Sequence, residues 1–78
     1  MKNITKREII RVLKDKKEYS KSGMTIEMIV EEIFKEYPKL VGNRHLERCQ
    51  NLVDTFVKNK FLFIKEISIS GKKFYKKT

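Results

Sequence analysis

Residues 43–60 read NRHLERCQNLVDTFVKNK. On a helix, where successive residues turn by about 100°, Leu46, Cys49, Gln50, Val53, Phe56, Val57 and Lys60 fall in one sector, and five of these seven are apolar. Arg44, Arg48, Asn51, Thr55 and Lys58 follow one another at spacings of four, three, four and three, which makes a continuous polar stripe on the other side. The stretch therefore predicts an amphipathic helix over about 43–59, with Asn43 as its N-cap. One side belongs to a core and the other is available to a partner.

Upstream, two further helix starts are legible. Thr5 followed by Glu8 fits a capping box, and Ile4 before the cap stands at staple spacing from Ile9. Ile9, Ile10, Val12 and Leu13 then supply a buried side, with fraying expected near Lys17 and a polar link over 19–23. Thr25 repeats the start signal, with Met24 and Ile29 as the staple pair. Ile26, Ile29, Val30, Ile33, Phe34 and Tyr37 recur at helical period. Pro38 disfavours helix in the residue before it, so 38–42, ending in Gly42, reads as a turn between the second and third helices.

Downstream the period changes. Residues 61–69 are rich in aromatic and β-branched side chains and read as a strand, and 73–77 as a second. Ser70 and Gly71 between them fit a two-residue hairpin turn. The expected fold class is α+β, mainly α: a three-helix core followed by a C-terminal two-stranded hairpin. At 78 residues the chain has material for one core, so 1–78 is read as one domain.

Composition narrows the function. Nineteen Lys and Arg against ten Asp and Glu give a net charge of +9, which points to a polyanionic partner. The charge is segregated: residues 24–37 hold Glu27, Glu31, Glu32 and Glu36 against Lys35 alone. One Cys and one His cannot close an ordinary zinc site, so no metal or other cofactor is expected. Gly-rich phosphate loops and nucleophile sets are lacking, and no enzyme is expected. His45 reads as a surface residue and Cys49 as a small core residue. Phe61, Phe63 and Phe74 read as core packing in preference to a stacking platform, and Met24 and Met28 as packing residues. Stretch 1–11 mixes charged and apolar residues, and the longest apolar run, 61–64, is too short for a bilayer. A cytoplasmic protein without membrane contact is the expectation, nucleoid- or nucleus-associated if it binds DNA.

The order of three helices and a hairpin, with Asn43-Arg44-His45-Leu46-Glu47-Arg48 opening the third helix and Ile69-Ser70-Gly71-Lys72-Lys73 at the hairpin tip, resembles the winged helix-turn-helix family. The resemblance spans nearly the whole chain and rests on element order rather than a diagnostic motif. It implies sequence-selective binding of double-stranded DNA by a small transcriptional regulator, with the third helix in the major groove and the wing, about 61–77, on the backbone or minor groove. By residue chemistry, Arg44, Arg48 and Asn51 are the base-contact candidates, since Arg pairs bidentately with guanine and Asn with adenine. Thr55, Lys58, Lys72, Lys73 and Lys76, with Lys6, Arg7 and Arg11 on the first helix, are the phosphate-contact candidates.

Other readings stay open at this level. The hairpin lysines also serve as edge-strand protection. The same fold can be a protein-interaction module of a transcription or replication assembly, docking through Glu27, Glu31, Glu32 and Glu36, or an RNA binder using the basic hairpin. A homodimer is open as well, built through the first helix or the hairpin edge.

Overall fold

The computed structural model describes residues 3–78. Three helices, α1 (Lys6–Asp15), α2 (Ile26–Ile33) and α3 (Asn43–Lys58), precede an antiparallel hairpin of β1 (Ile64–Ile69) and β2 (Lys72–Lys77). The fold is α+β and mainly α.

Both threonine caps are present. Thr5 Oγ1 accepts the Glu8 N–H at 3.3 Å, and Thr25 Oγ1 accepts the Met28 N–H at 3.1 Å. The staple residues Ile4, Ile9, Met24 and Ile29 all lie in the core. Val12 and Leu13 of α1, Ile26, Val30 and Ile33 of α2, Cys49, Val53 and Phe56 of α3, and Ile64 and Tyr75 of the hairpin, with Tyr19 and Phe34 from the links, complete one apolar cluster. Ser70 and Gly71 both have positive φ, 52° and 80°, as a type I′ hairpin turn requires.

Five local expectations are corrected. Gly42, not Asn43, is the N-cap of α3: its carbonyl accepts the His45 and Leu46 N–H groups, while His45 Nδ1 accepts the Gly42 N–H at 3.1 Å. His45 also rests on Phe34, with ring centroids 4.6 Å apart, so it is a half-buried cap rather than a surface residue. The second helix stops at Ile33, and Tyr37, expected on its buried side, is exposed. Residues 19–23 are more than a polar link: Lys17–Ser20 form a 3-10 turn with Tyr19 buried.

The fifth correction is at the junction of α3 and β1. The first strand begins at Ile64, and Phe61–Phe63 form a tight turn in which Lys60, Leu62 and Phe63 have φ of 54°, 57° and 55°. Left-handed backbone costs a non-glycine residue about 1–2 kcal/mol. Lys60 thereby leaves the apolar sector of α3, and Phe61 and Phe63 are exposed instead of packed.

A two-stranded hairpin is marginal alone, and here a third segment supports it. Met24 pairs with Tyr75 in both directions, N–H to carbonyl, at 2.9 and 2.8 Å. Gly23, at φ +90°, delivers Met24 to that position. A Cβ added at Gly23 would stand 3.2 Å from both the Tyr75 carbonyl oxygen and Phe74 Cβ. Gly23→Ala therefore combines a disfavoured backbone conformation with close contacts, and is expected to destabilise by about 2 kcal/mol. In thermal unfolding this is a fall in Tm of roughly 8–16 °C, and an unchanged Tm would show that the Met24 bridge does not hold the hairpin.

Candidate nucleic-acid interface

The stripe on α3 stands as a surface: Arg44, Arg48, Asn51, Thr55 and Lys58 are all exposed. Asn43, Glu47 and Asp54 are exposed on the same helix, and its two edges differ in charge. Gln50 Nε2 donates to the Tyr75 hydroxyl at 2.7 Å and to Asp54 Oδ1 at 2.8 Å, so the Gln50 edge faces the hairpin. At about 100° per residue, Glu47 and Asp54 belong to that edge, while Arg44, Arg48 and Thr55 line the opposite one. The helix thus presents an acidic flank to the hairpin and a basic flank to the start of α1.

The basic flank meets α1 through Arg48, whose Nε donates to the Ile4 carbonyl at 2.6 Å. That bond fixes the N-terminal segment, whose Ile4 side chain is fully buried. It leaves the two Nη groups of Arg48 for an external acceptor. Arg44 makes no hydrogen bond or ion pair among the described residues. Thr55 Oγ1 donates to the Asn51 carbonyl at 3.0 Å, so its hydroxyl proton is committed to the helix and only its lone pairs face outward. A phosphate accepts hydrogen bonds, so Lys58, exposed one turn on, is the better contact at this end.

Lys6, Arg7 and Arg11 are exposed on α1, Lys6 and Arg7 within a turn of the Ile4 anchor. Arg11 lies apart from them, sharing a depression with Glu32, Lys35, Glu36 and Tyr37. On the hairpin, Lys72 and Lys73 are exposed and Lys76 is half-buried. Lys73 Nζ is 3.9 Å from Glu66. The hairpin turn lies over the start of α2, where Gly71, Lys72 and Lys73 share a cleft of about 370 Å³ with Thr25, Ile26, Glu27 and Gln50. The stripe, the start of α1 and the turn lysines thus frame α3 from two sides, and Arg11 is the candidate left outside.

Tyr75 and Gln50 position this surface, and neither was singled out from sequence for that role. Tyr75 is fully buried, and besides accepting from Gln50 its hydroxyl donates to Glu66 Oε1 at 3.4 Å. Burial raises its pKa above the usual phenol value. The available signal is Gln50, an amide in the middle of a mostly apolar sector, which needs a partner when packed inward.

The acidic face of α2 is partly neutralised from within. Glu32 receives Lys16 at 3.2 Å and Lys35 at 3.4 Å, and the Lys16 hydrogen bond is the main cause of a lowered carboxyl pKa. Glu27, Glu31 and Glu36 are exposed. Among the described residues, no group of three or more His, Cys, Asp or Glu side chains is placed to hold a metal ion, and no helix is long and apolar enough to cross a membrane. No protein-family model matches the chain, and comparison with curated proteins and with solved structures finds no match either.

Cys49 is fully buried on α3, and burial, with the nearby Glu27 charge second, pushes its thiol up to about 12. Little thiolate exists at neutral pH, so a disulfide reagent should modify the native protein slowly and the urea-unfolded protein fast. Equal rates would place Cys49 outside the core. Arg48 and Arg44 separate anchoring from binding. Arg48→Ala is expected to lower stability by about 1 kcal/mol through loss of a charged donor on a backbone carbonyl, and Arg44→Ala to leave the urea midpoint unchanged. Equal midpoints for the two variants would remove the anchoring role.

Proposed function

We propose that the chain is a winged helix-turn-helix domain that binds double-stranded DNA, α3 entering the major groove and the hairpin lying on the backbone or minor groove. The observation that carries this reading is the exposed polar stripe of a four-turn helix with a lysine-bearing hairpin tied to its flank by Gln50 and Tyr75. The net charge of +9 supports it, since cationic side chains displace the counterions condensed on duplex DNA. In this mode Arg44 and Asn51 read bases with free donors, and Arg48 reads with its Nη groups while Nε stays on Ile4. Lys58, Lys6, Arg7, Lys72, Lys73 and Lys76 meet phosphates. The exposed carboxylates of Glu47 and Asp54 lie on the hairpin edge of α3, so the edge that reads bases is the one that carries Arg44 and Arg48. Occupancy of a site, without chemistry, would then regulate transcription, in the cytoplasm or on the nucleoid or nuclear DNA.

Protein docking through α2 is less favoured, because Glu32 is already engaged by Lys16 and Lys35. The test is fluorescence anisotropy with random-sequence duplex DNA across a salt series, for wild type, Arg44→Ala and Lys72→Ala. Micromolar or tighter binding at low salt is expected, falling steeply as salt rises. Lys72→Ala should reduce the salt slope by about one, and Arg44→Ala should cost about 1–3 kcal/mol on a selected preferred sequence. Negligible binding at low salt, with both variants like wild type, would overturn the reading and direct attention to Glu27, Glu31 and Glu36 as a protein-docking face. Preference for structured RNA over duplex DNA would replace it with RNA binding.

A further inference from the structure

The duplex reading leaves the junction of α3 and β1 unused. Phe63 is 69% exposed, the most exposed large apolar side chain among the described residues, and Phe61 beside it is 44% exposed. Phe61 leans on Phe56, with ring centroids 5.2 Å apart, whereas Phe63 has no such ring partner. The turn that projects them is held by specific bonds. The Tyr19 hydroxyl donates to the Leu62 carbonyl and the Thr78 N–H donates to the Phe63 carbonyl, both at 2.8 Å. Left-handed backbone at Lys60, Leu62 and Phe63 is thus maintained by the surrounding structure.

Leu62 and Phe63 border a notch of about 270 Å³, with Leu13 and Tyr19 as further apolar wall and Lys14 and Lys77 lining it too. Among the described residues, no Asp or Glu side chain lines it. Lys14 and Lys77 are the charged residues that line it, and the neighbouring stretches carry both signs, Lys60, Lys65 and Lys76 with Asp15 and Glu18. In the hairpin register Ile64 pairs with Lys77, so the notch lies at the open end of the hairpin. It is separated from the turn by the length of β1, about 17 Å at the usual strand rise.

We propose that this notch binds an unpaired base of a single-stranded nucleic acid, the base lying against the Phe63 ring and the flanking phosphates meeting Lys14 and Lys77. An aromatic face beside cationic side chains matches a ligand that carries planar rings on an anionic backbone. A base within a duplex has both faces covered by its neighbours, so only an unpaired or terminal base can stack on Phe63. A docked helical peptide needs several apolar anchors along a groove, and this notch offers one. Its volume is below the usual range for small-molecule pockets, roughly 300–1,000 Å³, and suits a single planar ring. The inference is independent of the duplex reading, because it uses neither the α3 stripe nor the hairpin turn.

The test compares binding of labelled oligo(dT) with that of an abasic oligonucleotide of equal length, which keeps the phosphates and removes the bases. Wild-type protein should bind oligo(dT) about tenfold more tightly than the abasic strand. Phe63→Asn accepts left-handed backbone and removes the ring, so it should abolish the preference while leaving abasic binding unchanged, and Phe63→Trp should retain the preference. Circular dichroism confirms that the variants are folded, and the wild-type comparison needs no variant. Arg44→Ala and Lys72→Ala, which address the duplex surface, should leave the oligo(dT) preference intact, so failure of either reading is distinguishable from failure of the other. Equal affinity of wild type for the two strands, or a preference that survives Phe63→Asn, overturns the proposal. A concentration-dependent dimer in sedimentation, abolished by Phe63→Asn and accompanied by no base preference, overturns it by assigning the notch to self-association.

Discussion

The pairing of Met24 with Tyr75 is the contact on which the arrangement of this molecule depends. Two backbone hydrogen bonds, 2.9 and 2.8 Å long, join the end of the link between α1 and α2 to β2 as an isolated bridge. The hairpin then has a bridged neighbour on its inner edge, and its one fully buried side chain, Tyr75, is delivered into the helical core. From there the Tyr75 hydroxyl reaches Gln50 on α3 and Glu66 on β1. One residue therefore ties together the inter-helix link, the long helix and both strands, and the attitude of the hairpin to α3 follows from it. Any function that uses α3 and the hairpin together inherits this dependence.

The same economy appears at the other flank of α3, where Arg48 is both a tether and a member of the exposed stripe. Its Nε bond to the Ile4 carbonyl restricts the side chain before any ligand arrives. A restricted guanidinium loses less rotamer entropy on binding than a free one, which favours a contact in the tethered direction and disfavours any other. Arg44 has no such tether among the described residues, so its side chain keeps its rotamer freedom. Fixed and adaptable donors side by side, with Glu47 and Asp54 along the hairpin edge, give the helix a polarity across its width that net charge alone does not convey.

Much of this was legible in the residues, and the failures have physical causes. The Thr5 and Thr25 caps, the period of the third helix and the Ser70 and Gly71 turn depend on contacts within a few positions, and local sequence carries them. The Met24 bridge involves a single residue and has no period to detect. The cap of α3 is built by His45 in a place where the usual pattern has Glu or Gln, so the start was read one residue late. The exposure of Phe63 is set by backbone conformation at Lys60 and Leu62, which no hydropathy pattern encodes. Of the candidate site, the stripe and the turn lysines are readable in the sequence, but the Ile4 tether joins residues 44 positions apart and the Gln50 bond residues 25 apart. Contacts of that separation are properties of the packed molecule.

The five phenylalanines are divided in a way that burial alone does not explain. Phe34 and Phe56 are in the core and Phe74 is half-buried, while Phe61 and Phe63 face outward. A chain of this size gains from every aromatic ring it can bury, so leaving Phe63 outside forgoes about 1.5–3 kcal/mol. The junction adds the cost of three left-handed residues, none of them glycine. Glycine at 62 or 63 would relieve that strain, and a polar residue at 63 would remove the exposed apolar surface. Neither substitution is present, and the carbonyl bonds from Tyr19 and Thr78 hold the unfavourable conformation in place. The junction is thus a place where local preference and tertiary structure disagree.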